Sequence, residues 1–328
     1  MTKTMMAPTL NPIMMMTINQ NSKTPPVLIT LAGPTAIGKT KIAIALAQHF
    51  DTVILSADSR QFYKELEIGT AAPTAEELAA VKHYFAGHLS IHDYYNVSRY
   101  EQEVLQLLDE LFRKHRCVIM TGGSGLYMDA VCKGIDQLPE PDVALRENVN
   151  EIYQSEGLPG LQRRLQLLDP EYYEIVDRNN PNRLKRAIEV CLQTGQTYSS
   201  LRLEKVQPRP FNILKLGLNL PRAELFDNIH RRTDAMISNG LVEEVRGLLP
   251  HRHLNALNTV GYKEIFSYLD GKMTLEEAIE KIKTNTRRYA KRQLTWFQRD
   301  AAITWFHPGQ VEEMIQFVEG QIRGIQAG

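Results

Sequence analysis

An eight-residue loop, Gly33–Thr40, decides the fold class of this chain. Its sequence, GPTAIGKT, matches the phosphate-binding pattern GxxxxGK[ST] in full. An apolar run at 27–32 precedes the loop, and helical apolar spacing follows it from Lys39 onward. A strand, a glycine-rich turn and a helix in this order bring backbone N–H groups and a helix N-terminus onto one anion. We therefore expect a strand–loop–helix unit that holds a phosphate or diphosphate.

Each residue of the loop belongs to the predicted anion site. Lys39 would neutralise the terminal phosphate, and the hydroxyl of Thr40 would bind Mg²⁺ or a phosphate oxygen. The predicted residues of this phosphate or diphosphate site are Gly33, Pro34, Thr35, Ala36, Ile37, Gly38, Lys39 and Thr40. The loop is compatible with a nucleotide or with another diphosphate. P-loop NTPases place an Asp at the end of a later strand, but the apolar run 117–121 ends in Thr121 and continues into glycines, which makes ATP hydrolysis less favoured.

Further apolar runs predict an α/β fold, a P-loop NTPase-like parallel sheet with helices on both faces. Strands are expected at 27–32, 52–58 and 117–121, with helices between them. One helix is predicted within 73–85. Another is predicted from Ser98 to His115, where Ser98 and Glu101 fit a capping box.

The pattern changes near Ile135 and becomes helical only. Helices are predicted at 141–157 and 158–169, and a third at 181–194 has Asn180 as its cap and Gly195 as its end. A strand returns at 213–220. We therefore divide the chain into a P-loop core, residues 25–136 and 206–328, and an inserted helical domain, residues 137–205. Residues 1–24 are predicted to be a disordered extension, since polar residues and Pro12 interrupt any signal-peptide core.

Composition narrows the class of protein. Basic and acidic side chains number 38 each, so any attraction to nucleic acid requires a local basic surface. Cys117, Cys132 and Cys191 are widely spaced, which argues against a zinc site or a disulfide framework and favours the cytoplasm. No apolar run reaches the roughly 20 residues of a membrane span.

Asp58 follows the second predicted strand. Ligands of parallel sheets bind at the carboxyl ends of strands, so Asp58 is placed to take a proton from an attacking nucleophile. The alternative, a turn cap, is equally compatible with the Asp-Ser sequence. For Arg60 and Gln61 the alternative is a solvated turn.

A basic segment, 281–299, carries no acidic residue, and Tyr289, Trp296 and Phe297 are interleaved with its Lys and Arg side chains. This pattern favours an RNA-binding surface, although the two C-terminal aromatic side chains have core spacing. In the helix 181–194, Arg183 and Arg186 share an outward face. The residues expected to pack inside are Leu184, Ile188, Cys191 and Leu192.

Six blocks in this order closely resemble the bacterial tRNA dimethylallyltransferases, also called tRNA isopentenyltransferases. They are the phosphate loop, SADSRQFYKELEIGTA, GGSGLYMDAV, NPNRLKRAIEVCLQTG, NTVGYKEI and NTRRYAKRQLTWFQRD. The resemblance covers roughly residues 26–306. The third block has Ser where the family usually has Thr, and this keeps the hydroxyl.

The resemblance implies transfer of a dimethylallyl group from dimethylallyl diphosphate to the exocyclic amine of the adenosine just 3′ of the anticodon. It implies that Asp58, Thr40, Arg232 and Lys39 are catalytic, with Mg²⁺ at Thr40, and that the enzyme is a monomer. The residues implied to contact tRNA are Asp58, Ser59, Arg60, Gln61, Ser124, Arg146, Asn182, Arg183, Leu184, Lys185, Arg186, Asn258, Gly261, Lys263, Lys291, Arg292 and Gln293. Without the resemblance, Arg231 and Arg232 would be read as a solvated pair.

Three alternatives stay open. Prenyl transfer to free adenine nucleotides would need neither the helical insertion nor the basic segment. A P-loop kinase for a small metabolite would use Asp58 and Arg60 on the acceptor hydroxyl and would not depend on tRNA. A non-catalytic RNA-binding protein would have no use for an intact phosphate loop beside Asp58.

Overall fold

The computed structural model describes residues 25–203 and 205–327. The predicted extension, 1–24, lies outside the described residues. The chain forms two compact units: one runs to Cys132 and resumes at Arg209, and the other is Lys133–Pro208. The second unit begins four residues before the predicted insertion and ends three residues after it. We call them the core unit and the helical unit.

The core unit contains a parallel sheet, as predicted. Its strands in the described part of the chain are β1 (Val27–Ala32), β2 (Ile54–Ser56), β3 (His83–Tyr84), β4 (Cys117–Gly122), β5 (Asn212–Leu218) and β6 (Thr304–Phe306). They are ordered β3-β2-β4-β1-β5-β6, and every pairing is parallel. The carboxyl ends of β1, β2 and β4 therefore lie side by side.

Helices cover both faces of this sheet. Those of the core unit are α1 (Lys39–His49), α2 (Ala75–Ala80), α3 (Val97–Leu111), α4 (Gly125–Lys133), α9 (Arg222–Ser238), α10 (Leu241–Gly247), α11 (Tyr262–Leu269), α12 (Leu275–Phe297) and α13 (Val311–Ala327). Helix α4 ends in the first residue of the helical unit. Side chains of β1 alternate between two apolar cores, with Leu28 in one and Ile29 and Leu31 in the other. This alternation explains why β1 reads as a continuous apolar run.

The helical unit contains α5 (Val143–Leu168), α6 (Pro170–Ile175), α7 (Pro181–Thr194) and α8 (Tyr198–Leu201). Gly157 interrupts α5 with a non-helical backbone at φ 66°, so its two halves match the two predicted helices. Helix α7 has the predicted cap, Asn180, and ends at Gly195 with φ 68°. Leu184 and Ile188 are fully buried. The expectation for Leu192 was wrong: its side chain is exposed.

One local prediction in the core unit was correct only in part, and another was wrong. The helix expected within 73–85 is present but covers only Ala75–Ala80, and the chain then forms β3, which pairs with β2. Helix α3 begins after Asn96, whose side chain accepts the N–H of Arg99 at 2.9 Å. Glu101 therefore does not cap Ser98. It is buried and forms an ion pair with Arg209.

Candidate functional site

The phosphate-binding loop follows β1 directly. Ala36 and Gly38 adopt φ 63° and φ 90°, the left-handed conformation that turns the chain into α1. Gly33 approaches β5 closely, since an added Cβ would lie 3.2 Å from the carbonyl oxygen of Leu218. The ammonium group of Lys39 donates to the carbonyl oxygen of Pro34 at 2.9 Å. The loop thus has the conformation and the cation needed to hold an anion.

A cavity of about 600 Å³, the P-loop chamber, opens above this loop. Thr35, Gly38, Lys39 and Thr40 line one side of it, and Gln61 and the segment 70–74 line another. The ends of β2 and β4 close it at Ser56 and Thr121. This chamber is large enough for a diphosphate and a short apolar group.

A second chamber, of about 320 Å³, lies beside the first. Predicted tRNA-contacting residues form much of its wall: Asp58, Ser59, Arg60, Asn258, Gly261, Lys263 and Arg292. Helix α12 contributes Thr286 and Tyr289 to this chamber. Thr35, Asp58, Thr70 and Arg232 line both chambers. The two cavities therefore meet at a shared set of polar and charged side chains, which we call the junction.

Burial strongly shifts the pKa values of ionisable side chains at the junction and beside it. Burial lowers the pKa of Lys39 to about 8, partly opposed by the nearby carboxylate of Asp58. Burial likewise lowers the pKa of the Arg232 guanidinium, and Asp58 again opposes the shift. Burial raises the pKa of Tyr289, and Asp58 adds to this effect, so the phenol stays neutral. Two cations and one carboxylate thus lie together beside the phosphate-binding loop.

Asp58 follows β2, and its Oδ1 accepts the N–H of Arg60 at 3.1 Å. The turn-cap interpretation is therefore correct, and it does not compete with a role in the chambers, because the same carboxylate lines both of them. The cap fixes the orientation of the carboxylate relative to the turn. Such an oriented carboxylate is suited to receive a proton.

Arg60 and Gln61 are not parts of a solvated turn. Arg60 donates to the carbonyl oxygens of Asn255 and Ala256 at 2.9 and 3.1 Å. Gln61 donates to the carbonyl oxygen of Ala71 at 2.9 Å. Their side chains therefore hold in place the chain segments that form the chamber walls.

Arg231 and Arg232 on α9 have different environments. Arg231 is exposed and donates to Asn228 at 2.6 Å. Arg232 is half-buried and lines both chambers. The solvated-pair interpretation is therefore wrong for Arg232.

Two other predicted residues of the core unit, Ser124 and Gln293, lie at or near the end of β4. Ser124 accepts the N–H of Ser59 at 3.0 Å, which joins the turn after β2 to the start of α4. The amide of Gln293 is buried between the phosphate loop and Gly123. Lys291 is exposed on α12.

The predicted residues of the helical unit differ in exposure. Asn182 and Arg183 are exposed. Lys185 donates to Asn150 at 2.8 Å, and Arg186 donates to the carbonyl oxygen of Pro139 at 2.7 Å. A further predicted residue, Arg146, pairs with Glu189 at 3.1 Å. Leu184 has a fully buried side chain in the apolar core of this unit, so its side chain cannot contact RNA as predicted.

Thr70 is a junction residue that the sequence analysis did not identify. It lies near the end of the block SADSRQFYKELEIGTA, whose predicted site residues are all near the beginning. Thr70 lines both chambers. Its hydroxyl donates to the carbonyl oxygen of Leu66. Glu244 accepts the N–H groups of the preceding residues, Ile68 at 2.7 Å and Gly69 at 3.0 Å. The position of Thr70 therefore depends on a residue far away in the sequence.

Within the described residues, no group of three or more His, Cys, Asp or Glu side chains could hold a metal ion. In the same part of the chain, no helix is long and apolar enough to cross a bilayer.

Comparisons with known proteins agree with this geometry. The family model for IPP transferase matches residues 61–300. The tRNA dimethylallyltransferase 1 of Bacteroides fragilis is 53% identical over 296 residues, which are 90% of this chain and 98% of the relative. The tRNA dimethylallyltransferase of Christiangramia forsetii is 50% identical over the same shares of the two chains.

Solved structures show the same similarity. The full-length tRNA isopentenylpyrophosphate transferase of Bacillus halodurans is 34% identical, with a TM-score of 0.68 over 92% of this chain and 98% of its own. A eukaryotic dimethylallyltransferase acting on tRNA has a TM-score of 0.69 at 25% identity, over 86% of this chain and 74% of its own. From its sequence and its fold, this chain belongs to the IPP transferase family.

Proposed function

We propose that this protein transfers a dimethylallyl group from dimethylallyl diphosphate to the exocyclic amine of the adenosine 3′-adjacent to the anticodon of tRNA, and releases diphosphate. The observation that carries the proposal is the junction, where the P-loop chamber meets a chamber lined by predicted tRNA-contacting residues. The relatives named above act on tRNA or carry this activity in their names. Donor and acceptor would enter from the two chambers and react between them.

Bond cleavage in the donor needs stabilisation of the leaving group. An adenine amine is a poor nucleophile because its lone pair is delocalised into the ring. The allylic C–O bond must therefore be largely broken in the transition state, and negative charge develops on the diphosphate. Loop amides, Lys39, Thr40 and Arg232 surround the place where this charge develops, and such preorganised groups stabilise it.

Mg²⁺ fits the same chamber. Thr40 offers one hydroxyl, and the described residues contain no dedicated cage of acidic side chains. This arrangement suits a metal that is bound mainly by substrate phosphates and water. When bound by Thr40 and the diphosphate, Mg²⁺ would neutralise charge on the leaving group.

Asp58 would accept the proton of the attacking amine. A C–N bond forms as the allylic C–O bond breaks, and the amine must then lose one proton. The Asp58 carboxylate lines both chambers, so it would face both reactants in this scheme. Thr35 and Thr70 share the junction but cannot act as bases at neutral pH.

The target adenosine must leave the anticodon stack to reach the second chamber, which costs a few kcal/mol. Contacts between the protein and the RNA backbone would offset this cost. Exposed basic residues are available for them on α12, at Arg288 and Lys291, and in the helical unit, at Arg183. We further propose that the enzyme acts as a monomer in the cytoplasm, where its substrate tRNA is found.

Incubation with labelled dimethylallyl diphosphate and one of three acceptors tests this proposal: tRNA, AMP or ATP. We expect label in a modified adenosine of tRNA only. Label on AMP would favour transfer to free nucleotides. ATP consumption without any prenyl transfer would favour a small-molecule kinase. The positive control is an active relative assayed in the same way. The proposal would be contradicted if the relative labels tRNA and this protein does not.

A further inference from the structure

The side-chain amide of Gln293 joins two parts of the site. Its Oε1 accepts the N–H of Thr35 at 2.9 Å, and its Nε2 donates to the carbonyl oxygen of Gly123 at 2.8 Å. Thr35 lies in the phosphate loop after β1, and Gly123 follows β4. The side chain is only 5% exposed. Both ends of the amide are thus used inside the protein, in a bridge between the ends of two neighbouring strands.

The position of Gln293 on α12 explains this bridge. Thr286, Tyr289 and Gln293 are spaced by three and four residues, so they share one face of the helix. Thr286 and Tyr289 line the second chamber. Arg288 and Lys291 are exposed. The helix therefore presents cations to solvent and binds the phosphate loop from its buried face.

The backbone that Gln293 holds is costly to maintain. Ala36, the residue after Thr35, has φ 63°, a conformation that residues with a side chain adopt only when their surroundings impose it. Gly123 is also constrained, since an added Cβ would overlap the Nε2 atom of Gln293. Both observations indicate that the backbone near Thr35 and at Gly123 is arranged to accommodate the side-chain amide of Gln293.

We propose that Gln293 is a positioning residue for the phosphate loop and not an RNA contact. By fixing the Thr35 amide, it holds the first turn of the loop in the conformation that receives a diphosphate. This inference rests on the proposed function only in identifying the diphosphate as part of the donor. It replaces the expectation, implied by family resemblance, that Gln293 touches tRNA.

The variant Gln293→Leu tests this role, because leucine has a similar size but cannot bond to Thr35 or Gly123. The affinity for inorganic diphosphate with Mg²⁺ should fall at least about fivefold, since the partly buried N–H of Thr35 is left without its acceptor. The affinity for tRNA alone should stay within about twofold. The matched control is Gln316→Leu, at an exposed position on α13, which should change neither affinity.

A second variant, Gly123→Ala, displaces the amide without changing Gln293. It should weaken diphosphate binding in the same way, and the double variant should lose little more than the worse single variant, because both changes remove one bridge. The same set of experiments also measures prenyl transfer to tRNA by the wild-type protein. A wild type that binds diphosphate but transfers nothing would refute the proposed function and leave the positioning role standing.

Three results would overturn the positioning role. One is weaker tRNA binding by Gln293→Leu with unchanged diphosphate affinity, which would make Gln293 an RNA contact. Another is the absence of any change in either affinity. The third is loss of the folded state in both Gln293→Leu and Gly123→Ala, seen by circular dichroism, which would make the amide part of the general core.

Discussion

Lys39 donates a 2.9 Å hydrogen bond to the carbonyl oxygen of Pro34, five residues earlier in the same loop. The ammonium group is thus held by the loop itself at the wall of the P-loop chamber. Burial lowers its pKa to about 8. A cation that is close to losing its proton at neutral pH makes anion binding sensitive to pH.

Diphosphate binding should weaken as the pH rises above about 8. The bound anion favours the protonated form of Lys39, so the complex keeps its proton to higher pH than the free protein. The affinity for diphosphate is therefore highest at pH values below the pKa of Lys39 in the unliganded protein, and it declines above that pKa. By titration calorimetry with Mg²⁺, we expect binding at about pH 9.5 to be about tenfold or more weaker than at about pH 7.

The variant Lys39→Met is the control for this titration. This variant should bind diphosphate weakly at both pH values, and its affinity should decrease little between them. A wild-type affinity that is constant across this range would contradict the role assigned to the Lys39 proton.

Asp58→Ala should lower prenyl transfer about 100-fold or more, because the amine proton loses its acceptor. The affinity for tRNA should be nearly unchanged, since the change removes one carboxylate and no cation. Single-turnover rates and filter binding measure the two effects separately. Asp109→Ala, which removes an exposed i,i+4 ion pair between α3 and Arg113 in the turn after it, is the matched control. Transfer at the wild-type rate would remove Asp58 from the mechanism.

Arg183→Ala should weaken tRNA binding and flatten its salt dependence. Each phosphate contact that is lost lowers the slope of log affinity against log salt by about 1. The exposed side chain of Arg183 on α7 makes such a contact possible. Arg323→Ala, on the exposed surface of α13, should leave the slope unchanged. An identical slope for Arg183→Ala and the wild type would exclude the contact.

Arg209→Met should destabilise the core unit by about 3–5 kcal/mol, because it leaves the Glu101 carboxylate buried without its cation. The two side chains are only 8% and 10% exposed, and Arg209 also donates to the carbonyl oxygens of Ala130 and Val131. Urea unfolding measures the loss. The double variant Arg209→Met/Glu101→Leu should recover part of it. A loss below about 1 kcal/mol for the single variant would show that the pair is not important for folding.

Sequence patterns predicted those features that depend on neighbouring residues. The strand–loop–helix unit at Gly33–Thr40 and the ends of α7 are of this kind. Resemblance to a family added Arg232, which the structure places at the junction. Helix periodicity alone gave no reason to select it over Arg231.

Features that depend on distant residues were not predicted correctly. Glu101 has the spacing of a capping partner, but Arg209 binds it from 108 residues away and Asn96 caps the helix instead. The roles of Gln293 and Thr70 are also set by distant contacts, with Thr35 and with the segment held by Glu244. No local spacing rule reports such pairs, since they form only when distant segments of the chain pack together.

A crystal structure with both an unreactive dimethylallyl diphosphate analogue and an anticodon stem-loop tests the central proposal most directly. We predict that the diphosphate lies on the amides of Gly33–Thr40 and that an extruded adenosine occupies the second chamber with its amine beside Asp58. An empty P-loop chamber, with the analogue bound elsewhere on the protein, would contradict it.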